Sequence, residues 1–323
     1  FLSEDDKSDK ERQVEISNDS VCPNLALKKI RIGTRGSRLA LWQADFTQQQ
    51  LAAAGVESEL VIIKTTGDAV QHLSFDKIEG KGFFTKEIED ALLRGEVDMA
   101  VHSMKDLPTT QPDGLVVAGV SYRDNPADWL MIRKDKIAEN QTFKLPVSAV
   151  VGTSSARRKA QLLDYRQDIH LKDIRGNVPT RVEKLRQGDF DAIILAAAGL
   201  SRLALDLSDL EVVQLNPREF TPAPAQGVLA WQTCASDLET RRLVQKIHHP
   251  EISACTNVER KVLKLIGGGC HVPLGVYCER DVSGNYHVWA AMAETWEEPV
   301  RRVRLSSATS FNLAERVVEQ LQK

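Results

Sequence analysis

The sequence contains no apolar run long enough to cross a bilayer and no nucleotide-binding loop. Its longest apolar stretch, residues 191–199, is far shorter than the roughly 20 residues that a membrane-spanning helix needs. The pattern G-x-x-x-x-G-K-[ST] is also missing. We therefore expect neither a membrane protein nor a P-loop nucleotidase.

Basic residues are not in excess, and aromatic residues are few. The formal net charge is −3 and aromatic residues make up 6% of the chain. A nucleic-acid-binding surface usually combines a basic stripe with interleaved aromatic side chains, and no such stripe occurs. We expect no nucleic-acid partner.

The cysteines and histidines lack the spacings of disulfide frameworks and metal sites. Five cysteines, an odd number, favour reduced thiols over a disulfide scaffold. His72 and His102 have neither the spacing nor the carboxylate neighbours of paired metal ligands, so we expect no metal. The N-terminal residues are highly charged and resemble no signal peptide, which favours a cytoplasmic location.

What the sequence does contain is a repeated order of apolar strand, polar turn and helix. The first unit has predicted strands at 29–33, 59–64 and 97–101 and helices at 37–54 and 84–94. The second has strands at 148–152, 169–174 and 191–195 and helices at 155–165 and 179–187. Such alternation predicts parallel-type sheets covered by helices.

From about residue 250 the pattern changes. A helix at 255–265 and a glycine-rich turn precede strands at 274–279 and 286–293 and a terminal helix. Residues 222–226 contain two prolines and are predicted to be a hinge-like crossing segment. We therefore predict two similar α/β domains and a smaller α+β domain.

Arginine, serine and threonine recur where a predicted strand leads into a helix. The turns lie at 33–38, 152–158 and 175–181, and Arg202 follows a predicted turn at 198–199. Free backbone N–H groups and the helix dipole favour an anion at such positions, and arginine binds carboxylates through two parallel bonds. One such arginine is usually only a solvated side chain. Together, the five arginines in these turns predict a polyanionic ligand: Arg35, Arg157, Arg158, Arg175 and Arg181.

Seven motifs in a fixed order resemble the porphobilinogen deaminase (hydroxymethylbilane synthase) family from about residue 29 onwards. They are TRGSRLALWQA at 34–44, GKGFF at 80–84, VHSMKDLP at 101–108, GTSSARR at 152–158, RGNVPTR at 175–181, PAQG at 224–227 and GGGCHVPLG at 267–275. Each motif alone is a weak signal, whereas the ordered set is very specific. This family joins four porphobilinogen units head to tail, releases ammonia at each step, and hydrolyses off the linear tetrapyrrole hydroxymethylbilane.

The resemblance implies two periplasmic-binding-protein-like α/β domains and a small α+β domain that carries the cofactor. We predict a disordered tail at 1–27, domain 1 at 28–123 with 224–246, domain 2 at 124–223 and domain 3 at 247–323. The resemblance also implies a monomer. The acetate and propionate groups of each pyrrole account for the many arginines.

Cys270 lies in a Gly-Gly-Gly-Cys turn. A lone cysteine is more often a small buried hydrophobic residue, but flanking glycines let the backbone approach a bulky attachment. By resemblance, Cys270 carries a dipyrromethane primer through a thioether. His271 stands where the family often has glutamine, and we assign it no role.

Asp106 follows Lys105 at the carboxyl end of a predicted strand. From the residues alone, a turn carboxylate or a helix N-cap is favoured over a functional role. Loss of ammonia from porphobilinogen and attack by the terminal pyrrole both build positive charge on a pyrrole nitrogen, which a fixed carboxylate would stabilise. By resemblance, Asp106 has this role and contacts the cofactor, and it could also shuttle protons.

The remaining site residues are also carried over by resemblance. Lys105, Ser155, Arg157 and Arg158 would contact the cofactor. Arg35 and Arg175 are candidates for proton delivery or leaving-group assistance. The predicted substrate-binding residues are Arg35, Ser37, Arg175, Arg181, Arg202, Gln226, Lys77, Lys81 and Phe84.

Several of these assignments leave alternatives open. Lys77 and Lys81 flank a glycine-rich loop and either cover the active site or are simply solvated. Phe84 either stacks on a pyrrole or belongs to the core. The competing function is a two-lobed binding protein for an anionic ligand, which explains the arginines but not Cys270 or the third domain.

Overall fold

The computed structural model describes residues 29–65, 85–267 and 272–323. Among these residues, no helix is both long and apolar enough to span a bilayer. The predicted tail at 1–27 lies outside the described residues.

The first unit is a five-stranded mixed sheet flanked by helices. Its elements are β1 (Ile30–Thr34), α1 (Arg38–Ala53), β2 (Ser58–Ile62), α2 (Lys86–Leu93), β3 (Met99–Ser103), β4 (Leu115–Val120), β10 (Leu229–Cys234) and α6 (Leu238–Gln245). The strand order is β2-β1-β3-β10-β4. Strands β1, β2 and β3 are parallel, and β10 is antiparallel to both of its neighbours. The apolar side chains of β1 and β3 are buried.

The second unit repeats this arrangement. Its elements are β5 (Asp128–Arg133), β6 (Val150–Gly152), α3 (Ala156–Tyr165), β7 (His170–Lys172), α4 (Val178–Arg186), β8 (Ala192–Ala196), α5 (Ala197–Leu203) and β9 (Leu210–Gln214). The order is β7-β6-β8-β5-β9, in which β6 is parallel to β7 and β8, while β5 is antiparallel to β8 and β9. The matching order shows that the two units share one topology.

The third unit is a three-stranded antiparallel sheet packed against two helices. It consists of α7 (Pro250–Leu265), β11 (Leu274–Arg280), β12 (Tyr286–Met292), β13 (Arg301–Ser307) and α8 (Leu313–Leu321). Val262, Val276, Val288 and Val317 meet in its core. The predicted fold class, two α/β units with a smaller α+β unit, is confirmed. The residue numbers at which we divide the chain into domains stay a prediction.

Three expectations about local structure were wrong. The sheets are mixed rather than parallel, because β4, β10, β5 and β9 lie outside the strand–helix repeats that the periodicity detects. The predicted turn at 198–199 lies inside α5. The alanines before Gly199 and Leu200 after it favour a helix, and the helix ends at Leu203, where the following residue, Ala204, has φ +46°.

Helix α7 begins at Pro250, earlier than predicted, because proline suits the first turn of a helix and needs no hydrogen-bond acceptor there. Strand β13 was missed altogether. Its sequence, RRVRLSS, has a mostly exposed pattern and resembles a polar loop.

The buried carboxylate of Glu259 on α7 joins the three units. It accepts hydrogen bonds from Arg123 Nη1 and Nη2, each at 2.7 Å. The backbone N–H of Ala225 donates to it at 2.6 Å and that of Cys278 at 2.7 Å. Arg123 and Ala225 belong to the two chain segments that cross between the first and second units, while Cys278 lies on β11. Glu259 therefore fixes both crossings to the third unit.

Gly227 makes the second crossing possible. Its φ is +88°, and a Cβ at this position would lie 2.5 Å from the carbonyl oxygen of Asp124. Only glycine combines this backbone conformation with so close an approach. The two crossing segments consequently run directly against each other.

We predict that Glu259→Gln lowers the free energy of unfolding by about 3–5 kcal/mol, because it leaves the buried Arg123 guanidinium without a counter-charge. Urea titration followed by circular dichroism measures the change. Glu96→Gln is the matched control, since Glu96 pairs with Arg94 at an exposed site, where solvent screens the pair and a much smaller change is expected. Equal destabilisation by the two variants would contradict the role given to Glu259.

Candidate active site

The candidate site lies where loops that follow parallel strands of the two units converge. In the first unit, Arg35 follows β1 and the 3-10 turn Met104–Asp106 follows β3. In the second unit, Ser155 follows β6 and Arg175 comes shortly after β7. Parallel strands of one sheet end at the same edge, which is where open α/β sheets bind ligands.

Charges of the two units act on each other across this edge. Burial lowers the pKa of Lys105, and the positive charges of Arg158 and Arg157 lower it further. The carboxylates of Asp106 and Asp128 oppose that shift. The predicted residues Lys105, Asp106, Arg157 and Arg158 are thus brought into one cluster, although they come from different sheets.

Asp128, the first residue of β5, forms the base of this cluster. Its carboxylate accepts from Arg157 Nη1 at 2.7 Å and from Arg158 Nη2 at 2.7 Å. Burial alone would raise the pKa of Asp128, but the two guanidinium groups hold it well below its usual range. The three side chains together carry one net positive charge.

This arrangement corrects the expectation that a ligand alone compensates the arginines at this helix start. Asp128 supplies one negative charge, and backbone carbonyls accept further bonds from Arg157 (Thr221 O, 3.0 Å) and Arg158 (Ile194 O, 3.1 Å). The one net positive charge of Asp128, Arg157 and Arg158 is left to bind an anionic ligand.

Gln226, on the second crossing segment, is hydrogen-bonded both to Lys105 and to Asp128. Its Nε2 donates to Asp128 Oδ1 at 3.0 Å and to the carbonyl of Pro126 at 2.8 Å. Its Oε1 accepts from Lys105 Nζ at 3.4 Å. Gln226 is almost completely buried, so it orients Lys105 from within the protein.

Asp106 differs from Asp128, the other acidic residue of the cluster. It is exposed at the end of the 3-10 turn and makes no hydrogen bond or ion pair with the described part of the chain. It is not a helix N-cap, because the residues after it are extended. A carboxylate beside several cations, yet bonded to none of them within this part of the chain, is available to a ligand.

Arg175 and Arg181 extend the positive surface on the second unit. Burial lowers the pKa of Arg181 to about 10, and the charges of Arg158 and Arg175 contribute, whereas Asp106 acts in the opposite sense. Arg181 Nε donates to the carbonyl of Gly176 at 2.7 Å. Both arginines therefore belong to the same electrostatic cluster as Asp106.

Other predicted residues have structural partners. The hydroxyls of Ser37 and Ser155 cap α1 and α3 by accepting from Ala40 N at 3.3 Å and from Arg158 N at 3.5 Å. Arg202 is buried on α5. Its guanidinium donates to Asp124 Oδ2 at 3.2 Å and to the carbonyl of Gly227 at 2.8 Å.

These contacts explain the positions of Ser37, Ser155 and Arg202 without a ligand, and their predicted binding roles stay predictions. Arg35 is partly buried after β1, where its charge acts on His102. Four predicted site residues lie outside the described residues: Lys77, Lys81, Phe84 and Cys270. In the sequence, Cys270 comes after α7 and before β11.

Asp128 and Arg260 are the residues of this region that sequence reasoning missed. The sequence did carry one signal for Asp128, because it is a charged residue at the first position of an otherwise apolar strand. Arg260 lies in a helix among other charged residues and gives no local signal. Both have partners far away in the sequence.

His102, on β3, is a buried structural histidine. Gln232 Nε2 donates to Glu89 Oε1 at 3.0 Å and to Gln111 Oε1 at 2.8 Å, so Gln232 Oε1 is left to accept from His102 Nε2 at 3.1 Å. Burial lowers the pKa of His102 to about 4, and the charge of Arg35 adds to this. The described residues contain no group of three potential metal ligands, and the absence of a metal stays a prediction.

Fold and site together define a class: a mixed α/β protein with a cationic cleft between two similar units and a third unit fixed to both. A family model described as "Porphobilinogen deaminase, dipyromethane cofactor binding domain" matches residues 30–242. The porphobilinogen deaminase of Sulfurimonas denitrificans is 44% identical over 252 residues, which cover 77% of this chain and 79% of the relative. A probable porphobilinogen deaminase of Methanocella arvoryzae is 45% identical over 252 residues, covering 78% and 80%.

This chain belongs to the porphobilinogen deaminase family. Membership confirms the predicted family, the transferase class in tetrapyrrole biosynthesis and the dipyrromethane cofactor. Among solved structures, the periplasmic VFT2 domain of Bordetella pertussis BvgS is 14% identical with a TM-score of 0.42, covering 68% of this chain and 86% of that one. A periplasmic substrate-binding protein of Coxiella burnetii has the same TM-score at 13% identity, covering 69% and 94%.

We predict that the stability of this protein falls as the pH drops from about 6.5 to 4, in part because of His102. The unfolded chain binds a proton at this histidine near pH 6.5, whereas the folded state excludes it until about pH 4. The difference contributes up to about 3 kcal/mol. His102→Gln keeps a donor for Gln232 and should reduce this pH dependence, measured by urea unfolding at several pH values.

The control for His102→Gln is His170→Gln at an exposed histidine, which should leave the pH dependence as in the wild type. If His102→Gln and the wild type lose stability in parallel across this interval, His102 is not the group responsible.

Proposed function

We propose that this chain condenses four porphobilinogen molecules stepwise onto a dipyrromethane carried by Cys270, releases ammonia at each step, and finally hydrolyses off hydroxymethylbilane. Family membership supports the overall reaction. The observation that carries the assignment of residues is the exposed carboxylate of Asp106 among Lys105, Arg158 and Arg181.

The donor set of the cleft fits the cofactor. Pyrrole acetates and propionates require cationic partners, which Lys105 and the Asp128-centred arginines provide, and pyrrole N–H groups require an acceptor, which Asp106 provides. When bound, the dipyrromethane would supply the free terminal pyrrole carbon to which the first unit is joined, and each later unit would be joined to the one before it. We assign its carboxylates to Lys105, Ser155, Arg157 and Arg158.

Asp106 acts on the pyrrole nitrogen where positive charge develops. Its carboxylate accepts the pyrrole N–H and stabilises that charge more strongly in the transition state than in the ground state. We also assign to this carboxylate the receipt and return of a proton during the reaction.

Arg35, Arg175 and Arg181 bind the carboxylates of the incoming unit from both sides of the cleft. Arg181 is partly buried, which strengthens its attraction for a carboxylate relative to bulk water. Ser37, Arg202, Gln226, Lys77, Lys81 and Phe84 complete the proposed substrate-binding set. Among these, Gln226 acts through Lys105, to which it is hydrogen-bonded.

The alternative, a two-lobed binding protein for an anionic ligand without chemistry, accounts for the cationic cleft. It does not account for an exposed carboxylate at the centre of that cleft, where it would repel an anion. We also propose that the enzyme is a cytoplasmic monomer without a nucleic-acid partner. The three described cysteines, Cys234, Cys255 and Cys278, are free thiols, as that location favours.

We predict that the intact purified protein is heavier than its sequence by two pyrrole units and that Cys270→Ser removes this added mass. Intact-protein mass spectrometry measures both. Cys234→Ser is the matched control, because the Cys234 thiol lies away from the cleft and donates to the carbonyl of Leu92 at 3.1 Å. Retention of the mass in Cys270→Ser, or its loss in Cys234→Ser, would contradict the attachment.

We predict that Asp106→Asn still loads the cofactor but loses nearly all turnover, because asparagine keeps the shape while removing the charge that acts in the transition state. Porphobilinogen consumption and intact mass on the same preparation separate the two effects. Asp113→Asn, at an exposed position outside the cleft, serves as the control and should turn over like the wild type. Normal turnover by Asp106→Asn would refute the assignment.

A further inference from the structure

Arg260 on α7 contacts the turn that carries Asp106. Its Nη1 donates to the carbonyls of Met104 at 3.0 Å and Leu107 at 2.8 Å, and its Nη2 donates to the carbonyl of Pro108 at 2.6 Å. These three carbonyls bracket Lys105 and Asp106 along the chain. One side chain of the third unit thus holds the backbone on both sides of the proposed catalytic carboxylate.

No acidic group shares in this contact within the described residues. Burial is the cause that lowers the pKa of Arg260, and carbonyl oxygens alone solvate its charge there. Most other partly buried arginines of the chain, such as Arg123 and Arg202, have a carboxylate partner. An arginine that binds three backbone carbonyls fixes a backbone conformation rather than neutralising a charge.

The turn is otherwise held by packing and by few hydrogen bonds. The side chains of Met104 and Leu107 are buried in a cluster with Val120 and Val228. Its internal bond, from Leu107 N to Met104 O, is long at 3.3 Å, and Met104 N donates to the carbonyl of Val228 at 2.9 Å. The Asp106 side chain has no partner in the described part of the chain. The position of this carboxylate therefore depends on its backbone, which Arg260 holds on both sides of Asp106 together with the buried side chains of Met104 and Leu107.

We propose that Arg260 is a positioning residue that fixes Asp106 relative to the cofactor anchor. Helix α7 carries Arg260 and ends at Leu265, five residues before Cys270. The Arg260 contacts therefore connect the carboxylate on the first unit to the helix that precedes Cys270 in the chain. This inference rests on the proposed role of Asp106.

Neighbouring Glu259 anchors the same helix to the crossing segments, so α7 contacts the first unit through two consecutive side chains. Their tasks differ. Glu259 is an ion-pair partner whose loss should destabilise the fold. Within the described residues, the Arg260 side chain donates only to carbonyls of the Asp106 turn, so its loss should act on turnover.

The test uses the holoenzyme of Arg260→Met, which keeps an unbranched, flexible side chain and removes its donors. We expect full cofactor mass, a KM for porphobilinogen within about twofold of the wild type, and a kcat lower by about 10- to 100-fold, since small displacements of a catalytic group cost rates of this order. Arg260→Lys should recover only part of kcat, because one ammonium cannot span three carbonyls in the planar fork geometry of arginine.

Arg302→Met is the matched control. Arg302 also reaches from the third unit to a neighbouring unit, donating to Asp164 Oδ2 at 2.7 Å and to the carbonyl of Glu219 at 3.1 Å. It contacts no residue of the Asp106 turn. A kcat near the wild-type value in Arg302→Met, with a reduced kcat in Arg260→Met, separates positioning of Asp106 from general loosening of the third unit.

A double-mutant cycle with Asp106→Glu tests the route of the effect. If Arg260 acts through Asp106, Arg260→Met should change kcat by less than about threefold once the carboxylate is already displaced by an added methylene. An equal fold-loss in both backgrounds, or a wild-type kcat in Arg260→Met, would overturn the proposal. Should Arg260→Met not fold, the same cycle with Arg260→Lys decides.

The two proposals fail differently. If Asp106→Asn turned over normally, the role of Asp106 itself would be wrong. If Asp106→Asn were inactive while Arg260→Met and Arg302→Met both behaved as the wild type, only the positioning role of Arg260 would be lost.

Discussion

The carboxylate of Glu259 is the constraint on which the relative placement of the three units depends. It is fully buried and accepts four hydrogen bonds, two from Arg123 and one each from the backbone of Ala225 and Cys278. A buried charge of this kind is tolerated only when its lone pairs are satisfied, so the three chain segments can move only at the cost of leaving it unpaired. The cleft is formed between units held in this way.

A second buried carboxylate, Asp128, organises the charges within the cleft. By pairing with Arg157 and Arg158 it allows two guanidinium groups to be packed side by side at the base of the site. Gln226 adds Lys105 to the same network through hydrogen bonds at both ends of its amide. The result is a rigid cationic base with one exposed carboxylate, Asp106, beside it. Such preorganised charges need not rearrange when positive charge develops on the ligand.

The two networks meet at α7. This helix carries Glu259, which holds the crossings, and Arg260, which holds the turn of Asp106, and it leads towards the turn of Cys270. The third unit therefore does more than present a cysteine. It fixes the backbone of the first unit at the point where we place the chemistry.

Much of the site could be predicted from the sequence because its signals are local. Arg35, Arg157, Arg158, Arg175 and Arg181 all follow a strand and precede or begin a helix, and that pattern is visible within a few residues. The partners of these groups were not visible. Asp128 is 29 residues from Arg157, and Glu259 is 136 residues from Arg123. A pairing across such separations depends on the packing of whole units, for which the periodicity of a segment carries no signal.

The same division applies to the fold. The sequence by itself determined the strand–helix alternation, the change to α+β after about residue 250, and the placement of arginines at helix starts, since each depends on side-chain periodicity or capping within a segment. Only the tertiary structure decided that β10 lies between β3 and β4 and antiparallel to both, that Asp128 rather than a ligand neutralises part of the arginine charge, and that Arg260 binds the backbone of the Asp106 turn. Those features depend on contacts between residues that are far apart in the chain. Such contacts form only when the units pack together, and that packing must also pair the buried charges of Glu259 and Asp128.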